Sequence, residues 1–438
     1  MLKQNISIFW FRRDLRIADN AAFYYALKAN KPVLPLFIFD KNILDKLQDK
    51  DDARVTFLHQ EIEKLKTEFI NNQSDLVVEY GFPLQIWQQL IQKYQITAVY
   101  TNHDYEPYAK ERDSELANLF AQNKIAFHTF KDQVIFEKNE VTKDDGKPYV
   151  VFTPYKRKWL EKLNTFYLKS YPSEKLPNNL YPTQCNPIPS LQSMGFIKSS
   201  ITFPDKNFAN VLKNYADERN FPGKDATSHI SLHLRFGTVS IRQLANAAKD
   251  TSEVWLSELI WRDFYFSILW HFPHSATQSF RPEYDNIKWR NNQQEFEAWC
   301  AGKTGYPMVD AGMREMLKTG FMHNRVRMVV ASFLSKHLLI DWRWGERYFA
   351  QKLLDFELSS NVGGWQWAAG SGVDAAPYFR IFNPAEQIKK FDKDLTYVKK
   401  WIPEFNDVFK YPKPIVDHKE ARERCLRVYK EGLVGFDL

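Results

Sequence analysis

The chain has 438 residues, of which 44% are apolar and 26% are charged, a balance that excludes disordered, collagen-like and coiled-coil proteins. Its length predicts two or three domains at about 150 residues per domain. The net charge of +7 permits a polyanionic partner, and three widely spaced cysteines exclude a disulfide framework and a cysteine-built zinc site.

The sequence lacks the marks of a membrane or secreted protein. No stretch approaches the ~18 uninterrupted apolar residues of a membrane span, and the first residues lack the order and length of a secretory signal. We therefore expect a cytoplasmic protein in a reducing compartment, without a membrane partner.

The first ~130 residues alternate strand and helix patterns, which predicts a doubly wound α/β domain with a five-stranded parallel sheet. Asp19 or Asn20 is suited to cap the first helix, and Pro35 favours an edge or a bulge in the second strand. Right-handed crossovers give the most economical topology. The predicted strands are 6–11, 33–39, 76–78, 96–100 and 125–127, and the predicted helices are 20–30, 54–70, 84–94 and 107–122.

The pattern changes after the α/β region. Prolines interrupt residues 131–205, which predicts a linker with short helical pieces. From residue 206 onward the apolar period is helical, and no internal repeat or strand pattern occurs. The predicted parts are therefore an α/β domain at 1–130, a linker at 131–205 and a mainly helical domain at 206–438, with helices at 253–271, from Pro307 to just before Gly320, and at 323–339.

Several common chemistries are excluded. Gly302–Thr304 does not end a Walker A loop, because Glu297 occupies the position of its first glycine. No GxGxxG motif follows the first strand, where Arg12–Asp14 forms the turn, so this turn shows no sign of binding a dinucleotide. HExxH and EF-hand motifs are absent, and no metal site is predicted.

A hydroxyl-rich turn at Thr227–Ser231 is followed by Arg235. Hydroxyls and backbone N–H groups at a helix start bind phosphate, and an arginine neutralises its charge. A capped helix is the alternative explanation.

One face of the predicted helix at 253–271 carries Glu258, Trp261, Arg262 and Tyr265, at spacings i, i+3, i+4 and i+7. An acceptor, a π surface and a cation on one face suit a flipped base beside its phosphate. An ordinary Glu–Arg helix pair beside a core tryptophan is the alternative.

Two later segments are unusually polar. Asn324–Met328 opens a predicted helix and carries Arg325 and Arg327, although Asn324 is equally suited to an N-cap and the arginines to solvent. Asp355–Trp367 places paired glycines between polar residues and tryptophans, which allows close approach of the backbone to a flat ligand.

With these segments in this order, the sequence resembles the DNA photolyase/cryptochrome family over nearly its whole length. The motifs that carry the resemblance are WFRRDLRIADN, ELIWRDFY, GKTGYPMVDAGMRE, MHNRVRM, DWRWGERYFA and NVGGWQWAAGSGVDAAPYFRIFNP. The resemblance implies an N-terminal α/β antenna domain and a C-terminal helical domain that holds FAD in a folded form, reduced and anionic in the active state.

The resemblance also implies roles for individual residues. Asn361 would face flavin N5, Glu258 would hydrogen-bond the damaged pyrimidine, and Trp261 would stack on it. With the candidates above, the predicted cofactor-binding residues are Tyr215, Thr227, Ser228, His229, Ile230, Ser231, Arg235, Glu258, Asp355, Phe356, Glu357 and Asn361. The predicted DNA-binding residues are Trp261, Arg262, Tyr265, Asn324, Arg325, Arg327 and Gln387, and the predicted catalytic residues are Glu258, Asn324, Met328 and Asn361. The tryptophans that match an electron relay for photoreduction of FAD are Trp365, Trp342 and Trp289.

The implied function is light-driven repair of cyclobutane pyrimidine dimers in double-stranded, UV-damaged DNA by a monomeric lyase. Photoexcited reduced FAD would pass an electron to a flipped-out dimer. The alternatives are a cryptochrome photoreceptor, a six-four photolyase and a DASH-type relative. Retention of Glu258 and Trp261 and the short stretch after the family region favour an enzyme, while six-four repair calls for a histidine pair where His323 stands alone.

The sequence departs from the family at a few positions. Glu357 and Val362 replace an aspartate and an asparagine of many members, which affects the expected flavin contacts. Tyr108 and Ala109 replace the Asn–Glu pair of some folate-binding members. A second, antenna chromophore therefore remains open between a deazaflavin, a flavin and none.

Overall fold

The structure, a computed structural model, describes residues 4–29, 31–176, 179–183 and 186–433. Contacts group the chain into two units. The first comprises 1–137, 162–206 and 230–250, and the second comprises 138–161, 207–229 and 251–438. These boundaries differ from the predicted ones, since the segment 131–205 is shared between the units and 230–250 belongs with the α/β residues.

The first unit contains the predicted five-stranded parallel sheet, in the order β3-β2-β1-β4-β5. Its inner strands are continuous apolar runs buried on both faces, as a parallel sheet between helices requires. The strands are β1 (Asn5–Phe11), β2 (Val33–Asp40), β3 (Val77–Gly81), β4 (Gln95–Asn102) and β5 (Ala126–Phe130).

Pro35 lies in β2, which is an internal strand and not the predicted edge. Pairing of β2 with β3 begins at Leu36, one residue later, while Pro35 itself is paired with Phe9 of β1. The missing N–H of the proline is tolerated because the strand has only one neighbour at that point.

Helices cover both faces of this sheet. Asn20 caps the first of them as predicted, accepting a hydrogen bond from the Phe23 amide; the predicted end of that helix at residue 30 lies outside the described residues. The helices of the first unit are α1 (Ala21–Lys28), α2 (Lys41–Leu44), α3 (Ala53–Asn71), α4 (Pro83–Lys93), α5 (Pro107–Gln122), and the later α9 (Ser231–Phe236) and α10 (Ile241–Lys249).

The second unit is helical, and no named strand occurs in its described residues. Its helices are α6 (Phe152–Lys162), α7 (Ala209–Leu212), α8 (Tyr215–Glu218), α11 (Glu253–His271), α12 (Gln293–Cys300), α13 (Pro307–Thr319), α14 (Asn324–Ser332), α15 (Trp342–Lys352), α16 (Leu358–Ala369), α17 (Pro384–Phe391), α18 (Thr396–Trp401) and α19 (His418–Gly432). Pro307 begins α13 and Gly320, at φ 67°, ends it, as predicted.

The helix predicted at 323–339 is shorter than expected. His323 is its N-cap, the α-helix ends at Ser332, and a single π-helical turn follows at Phe333–His337. In this turn the Leu338 amide bonds to the Phe333 carbonyl, five residues back, and Leu339 has a φ of 48°. The sequence pattern did not predict the π-turn, because its apolar residues continue the helical spacing.

The core of the second unit joins α12–α16. It contains three fully buried tryptophans, Trp299, Trp342 and Trp365. Across the residues that the structure describes, the helices are too short or too polar to span a membrane.

Candidate active site

The predicted face of α11 lies in the second unit, and its first member is held by an arginine from α8's C-terminal end. Arg219 forms an ion pair with Glu258, and its guanidinium lies 5.3 Å from the ring of Tyr215. Burial raises the pKa of Glu258, and Arg219 opposes that shift. Glu258 is thus a carboxyl group whose pKa is raised by burial, with the cations Arg219 and Lys156 opposing the shift.

Trp261 packs on an aromatic residue of α6. Its ring stacks on Phe152 at 3.7 Å between centroids and 7° between planes, and it lies 5.5 Å from the ring of Tyr265. Because Phe152 covers one face of the indole, a base has only the opposite face on which to stack. The sequence analysis missed Phe152 because it lies 109 residues before Trp261 and belongs to no motif.

Arg262 and Tyr265, both predicted to contact DNA, make contacts within the helical unit, and their role towards DNA stays a prediction. The Arg262 side chain is only 10% exposed, and its Nε donates to Glu357 at 2.9 Å. Tyr265 packs against α16, where a Cβ on Gly363 would lie 2.3 Å from the phenol ring. Both side chains are therefore directed into the helical unit. The partner of Arg262, at the N-terminus of α16, is 95 residues further along the chain, and that of Tyr265, on α16, is 98 residues further.

A second ion pair involves Asp355, two residues before Glu357. Arg327 donates to Asp355 at 2.9 Å and to the Met322 carbonyl at 2.7 Å. Its guanidinium is therefore paired with a predicted cofactor residue, and its predicted contact with DNA stays a prediction. Arginines hold both acidic residues of the 355–357 segment in fixed positions, with Phe356 between them.

Asn361 on α16 has a fixed amide orientation. Its Nδ2 donates to Glu346 twice, to the backbone carbonyl at 3.1 Å and to Oε1 at 2.9 Å, so its Oδ1 is the group left for a ligand. Burial raises the pKa of Glu346, and the hydrogen bond from Asn361 opposes that shift. Glu346 has no signal in the sequence, since it lies inside a helical pattern 15 residues before its partner.

The surroundings of α16 fit a flat ligand such as FAD. A Cβ at Gly364 would meet no atom within 4 Å, so the backbone borders open space there, as the paired glycines predict. Ser359 Oγ and Trp365 Nε1 are buried and have no hydrogen-bond partner among the described residues. The open backbone at Gly364 and the oriented amide of Asn361 leave room for a flat ring with polar edges on this side of α16.

The predicted phosphate-binding turn is divided by the unit boundary. Thr227, Ser228 and His229 belong to the second unit, where Thr227 Oγ1 lies 3.2 Å from His229 Nε2. Ile230 and Ser231 belong to the first unit. Arg235, also in the first unit, is paired with Glu106 at 2.8 Å, and its predicted role in neutralising a cofactor phosphate stays a prediction.

The start of α14 presents the predicted DNA-facing residues. Asn324 is exposed and is the first residue of the helix, since His323 is its cap. Arg325 donates to the Asn220 side chain at 2.5 Å and to Met328 Sδ at 3.6 Å, and its guanidinium lies 4.5 Å from the Phe391 ring.

Three guanidinium groups converge near this helix start. Burial lowers the pKa of Arg325, and the charges of Arg219 and Arg380 lower it further. Such a cluster attracts phosphate, because an anion relieves the repulsion among the cations. Gln387 lies half-buried on α17.

The three relay tryptophans differ in exposure. Trp365 and Trp342 are 2% and 1% exposed, whereas Trp289 is half-buried and lies 5.9 Å from the Tyr429 ring. The ring contacts of Trp365 are with Phe349 at 5.0 Å and Trp299 at 6.1 Å. The higher exposure of Trp289 suits a relay in which electrons move from the surface to the core. Trp299 is an additional buried neighbour of Trp365.

The first unit fills its own sheet crevice. The strand order reverses between β1 and β4, the place where doubly wound sheets bind ligands. There Arg12 pairs with Asp113 at 2.6 Å, and Arg13 pairs with Glu106 at 2.9 Å. The crevice is therefore occupied by the chain's own ion pairs.

A cavity of about 730 Å³ lies elsewhere in the first unit, lined by residues of α2, α4 and α5. The hydroxyl of Tyr108 donates to Asp40 at 2.6 Å and accepts a hydrogen bond from Asn42 at 3.1 Å. The Arg112 guanidinium lies 5.5 Å from the Tyr108 ring. The cavity thus offers an aromatic surface beside a cation.

Two protein-family models match the chain. The FAD binding domain of DNA photolyase matches residues 255–410, and DNA photolyase matches residues 7–178. A deoxyribodipyrimidine photo-lyase from Synechococcus sp. is 35% identical, covering 97% of this chain and 96% of its relative. The sequence resemblance therefore extends over both units.

Solved structures agree with these matches. A class III photolyase from Agrobacterium tumefaciens superposes with a TM-score of 0.87 at 33% identity, covering 99% of this chain and 98% of that chain. An archaeal photolyase from Sulfolobus tokodaii superposes with a TM-score of 0.82 at 32% identity, covering 98% of this chain and 100% of that chain. The predicted fold and resemblance are confirmed, and the chain is an enzyme of the DNA photolyase family.

Proposed function

We propose that this protein, acting as a monomer, uses light to repair cyclobutane pyrimidine dimers in double-stranded DNA. The observation that carries the proposal is the pairing of Glu258 with Arg219 beside Trp261, within a unit that matches an FAD-binding domain. A carboxyl group, an open indole face and a guanidinium match a pyrimidine carbonyl, a pyrimidine ring and a DNA phosphate, respectively.

FAD, when bound, supplies light absorption and the donated electron. The residues of the chain position the cofactor. Asn361, oriented by Glu346, leaves its Oδ1 to accept a hydrogen bond from the ring, and Arg262 and Arg327 hold Glu357 and Asp355 beside it.

Glu258 would act as a hydrogen-bond donor to the lesion. A DNA phosphate that attracts Arg219 removes the charge that lowers the pKa of Glu258, and burial then favours the protonated carboxyl group. The proton is thus present when a pyrimidine carbonyl gains negative charge, where a donor is most stabilising.

The test is repair of two synthetic duplexes under blue light, one with a single thymine dimer and one with a six-four lesion. We expect the protein with reduced FAD to restore the thymine dimer and to leave the six-four lesion unchanged. Repair of the six-four lesion would instead favour that class of photolyase, and binding of FAD without repair of either duplex would favour a photoreceptor.

We also propose that the cavity of the first unit holds a planar antenna chromophore. The Sulfolobus tokodaii structure is described with two FAD molecules, the second implying a novel light-harvesting cofactor, which supports a second chromophore here. Tyr108 lines this cavity, and its ring suits such a molecule.

Chromophores released from the purified protein by denaturation test the antenna proposal. We expect a second chromophore in addition to FAD, lost selectively in Tyr108→Ala. FAD alone in the wild-type protein, after supplementation with flavin, deazaflavin and folate, would overturn the proposal.

A further inference from the structure

Lys336 carries a buried ammonium group in the π-turn at Phe333–His337. The residue is 1% exposed, and its Nζ donates to the backbone carbonyl of Arg380 at 3.0 Å. Among the described residues, this carbonyl is the one hydrogen-bond acceptor of Nζ. The buried ammonium group thus makes a single hydrogen bond there, to a residue 44 positions further along the chain.

Packing alone does not account for a lysine at this position. Burial lowers the pKa of Lys336 to about 8, with Cys425 opposing the shift and Arg380 adding to it. An apolar side chain of the same length would fill the space without the cost of removing an ammonium group from water. The compensating interaction is the charge-assisted hydrogen bond to the Arg380 carbonyl.

That carbonyl belongs to a tight turn. The Arg380 amide donates to the Pro377 carbonyl at 2.9 Å, and the Ile381 amide donates to the Phe379 carbonyl at 3.1 Å. At the base of the turn, Tyr378 stacks on Tyr429 at 5.9 Å. The turn is therefore anchored from the core at two points, one of them Lys336.

The outer side of the turn is exposed. Phe379 is 59% exposed, and Arg380 is exposed beside it. The charge of Arg380 lowers the pKa of Arg325, so the turn contributes to the guanidinium cluster at the start of α14. An exposed aromatic ring next to a cation is the pair of groups that binds an unstacked base and its phosphate.

We propose that Lys336 is a positioning residue for DNA binding, holding the turn 377–380 so that Phe379 and Arg380 meet the DNA. The proposal rests on the proposed function, since it requires a DNA ligand. Lys336 itself does not touch DNA, and it acts through the Arg380 carbonyl.

The first test uses hydrogen exchange in the protein without DNA. Lys336→Met keeps the side chain up to its last carbon and removes the ammonium group, so the amides of Arg380 and Ile381 should exchange faster, with α16 unchanged. Ser335→Ala is the matched control, because Ser335 is equally buried in the π-turn and bonds only to the Ala331 carbonyl. Equal exchange of the turn in Lys336→Met and wild type would overturn the proposal.

The second test measures affinity for a duplex with one thymine dimer. We expect Lys336→Met to weaken binding about tenfold, the size of one charge-assisted hydrogen bond, and Ser335→Ala to leave it unchanged. In a Phe379→Ala, Arg380→Ala background, Lys336→Met should have no additional effect. Unchanged affinity, or an equal loss in both backgrounds, would contradict the positioning role.

If Lys336→Met fails to fold, Lys336→Gln is measured instead, because its amide ends one bond short of the position of the lysine nitrogen. The results that would support or overturn the proposal are the same. The first test needs no DNA or light, so it distinguishes failure of the Lys336 proposal from failure of the proposed function. Faster exchange in Lys336→Met together with no binding of the dimer duplex by the wild type would leave the Lys336 contact established and overturn its role in DNA binding.

Discussion

Glu258 shows how one residue combines two opposing influences. Burial favours its protonated form, while the ion pair with Arg219 favours the carboxylate. In the protein without DNA the two influences oppose each other, and the pKa of this carboxyl group stays raised. On the proposed function, a phosphate that draws Arg219 away would raise this pKa further and favour a donor at the lesion.

Glu258→Ala should reduce the repair yield several-fold while FAD stays bound, because only the hydrogen bond to the pyrimidine is lost. Glu258→Gln should retain part of the yield, since its amide still donates. Glu253→Ala is the matched control on the same helix, where Glu253 is exposed and pairs with Lys156. Repair by Glu258→Ala at the wild-type yield would refute the assigned role.

Trp342→Phe should block photoreduction of bound oxidised FAD but leave repair by chemically reduced enzyme intact, because the relay delivers electrons and does not contact the lesion. The measurement is the bleaching of the flavin absorbance under blue light with an external thiol. Trp299→Phe is the comparison, since Trp299 is equally buried and contacts Trp365. If Trp299→Phe blocks photoreduction and Trp342→Phe does not, the relay runs through Trp299 and not through Trp342.

At the scale of elements, the contact of α15 with α16 depends on a glycine. A Cβ at Gly345 would lie 2.1 Å from the Trp365 ring and 2.6 Å from Leu334. The two helices approach closely because Gly345 has no side chain, and this approach fixes the position of Trp365 in the core.

Gly345→Ala should therefore lower the free energy of unfolding by about 1–3 kcal/mol, the usual cost of overpacking. Gly364→Ala in α16 is the control, because its added Cβ meets no atom within 4 Å and alanine favours a helix by up to about 1 kcal/mol. Urea denaturation of the FAD-free proteins measures both. Equal stability of the two variants would show that the helices are not in the contact described.

The π-turn carries a pH-sensitive group, His337. Its Nε2 lies 2.8 Å from His418 Nδ1, and burial, together with the charges of His418, Arg424 and Lys336, lowers the pKa of His337 to about 3. The unfolded chain takes up a proton near pH 6.5, whereas the folded protein does not do so until about pH 3. Acid therefore favours the unfolded state.

As the pH falls from 6.5 to 5 the wild type should lose stability relative to His337→Gln, with a slope that approaches about 1.4 kcal/mol per pH unit. The measurement is the free energy of unfolding of both proteins at each pH, so that other titrating groups cancel. A difference between the proteins that does not change with pH would contradict the lowered pKa.

The sequence predicts the elements better than the contacts between them. Hydrophobic periodicity places β1–β5 and α11 within a few residues, and the spacing of Glu258, Trp261 and Arg262 places them together on α11. The direction of Arg262 depends on Glu357, 95 residues away, and that of Arg235 on Glu106, 129 residues away. Such pairings have no local pattern, so the sequence analysis did not identify these partners of the two arginines.

On the scale of the whole molecule, the two units divide the expected tasks. The first fills its sheet crevice with ion pairs and leaves a separate cavity, and the second carries the FAD-binding match and the Glu258 site. The chain's family is evident from its sequence motifs, whereas the sharing of 131–205 between the units is not, because prolines indicate only where regular elements stop.

The most direct test of the account is the absorption spectrum of the purified protein, supplied with FAD and a thymine-dimer duplex, before and after blue light. The account predicts a bound flavin band that reduces under illumination and a recovery of thymine absorbance that stops in the dark. A protein that cannot be loaded with flavin, or a loaded and reduced protein that leaves the dimer intact after illumination, would contradict it.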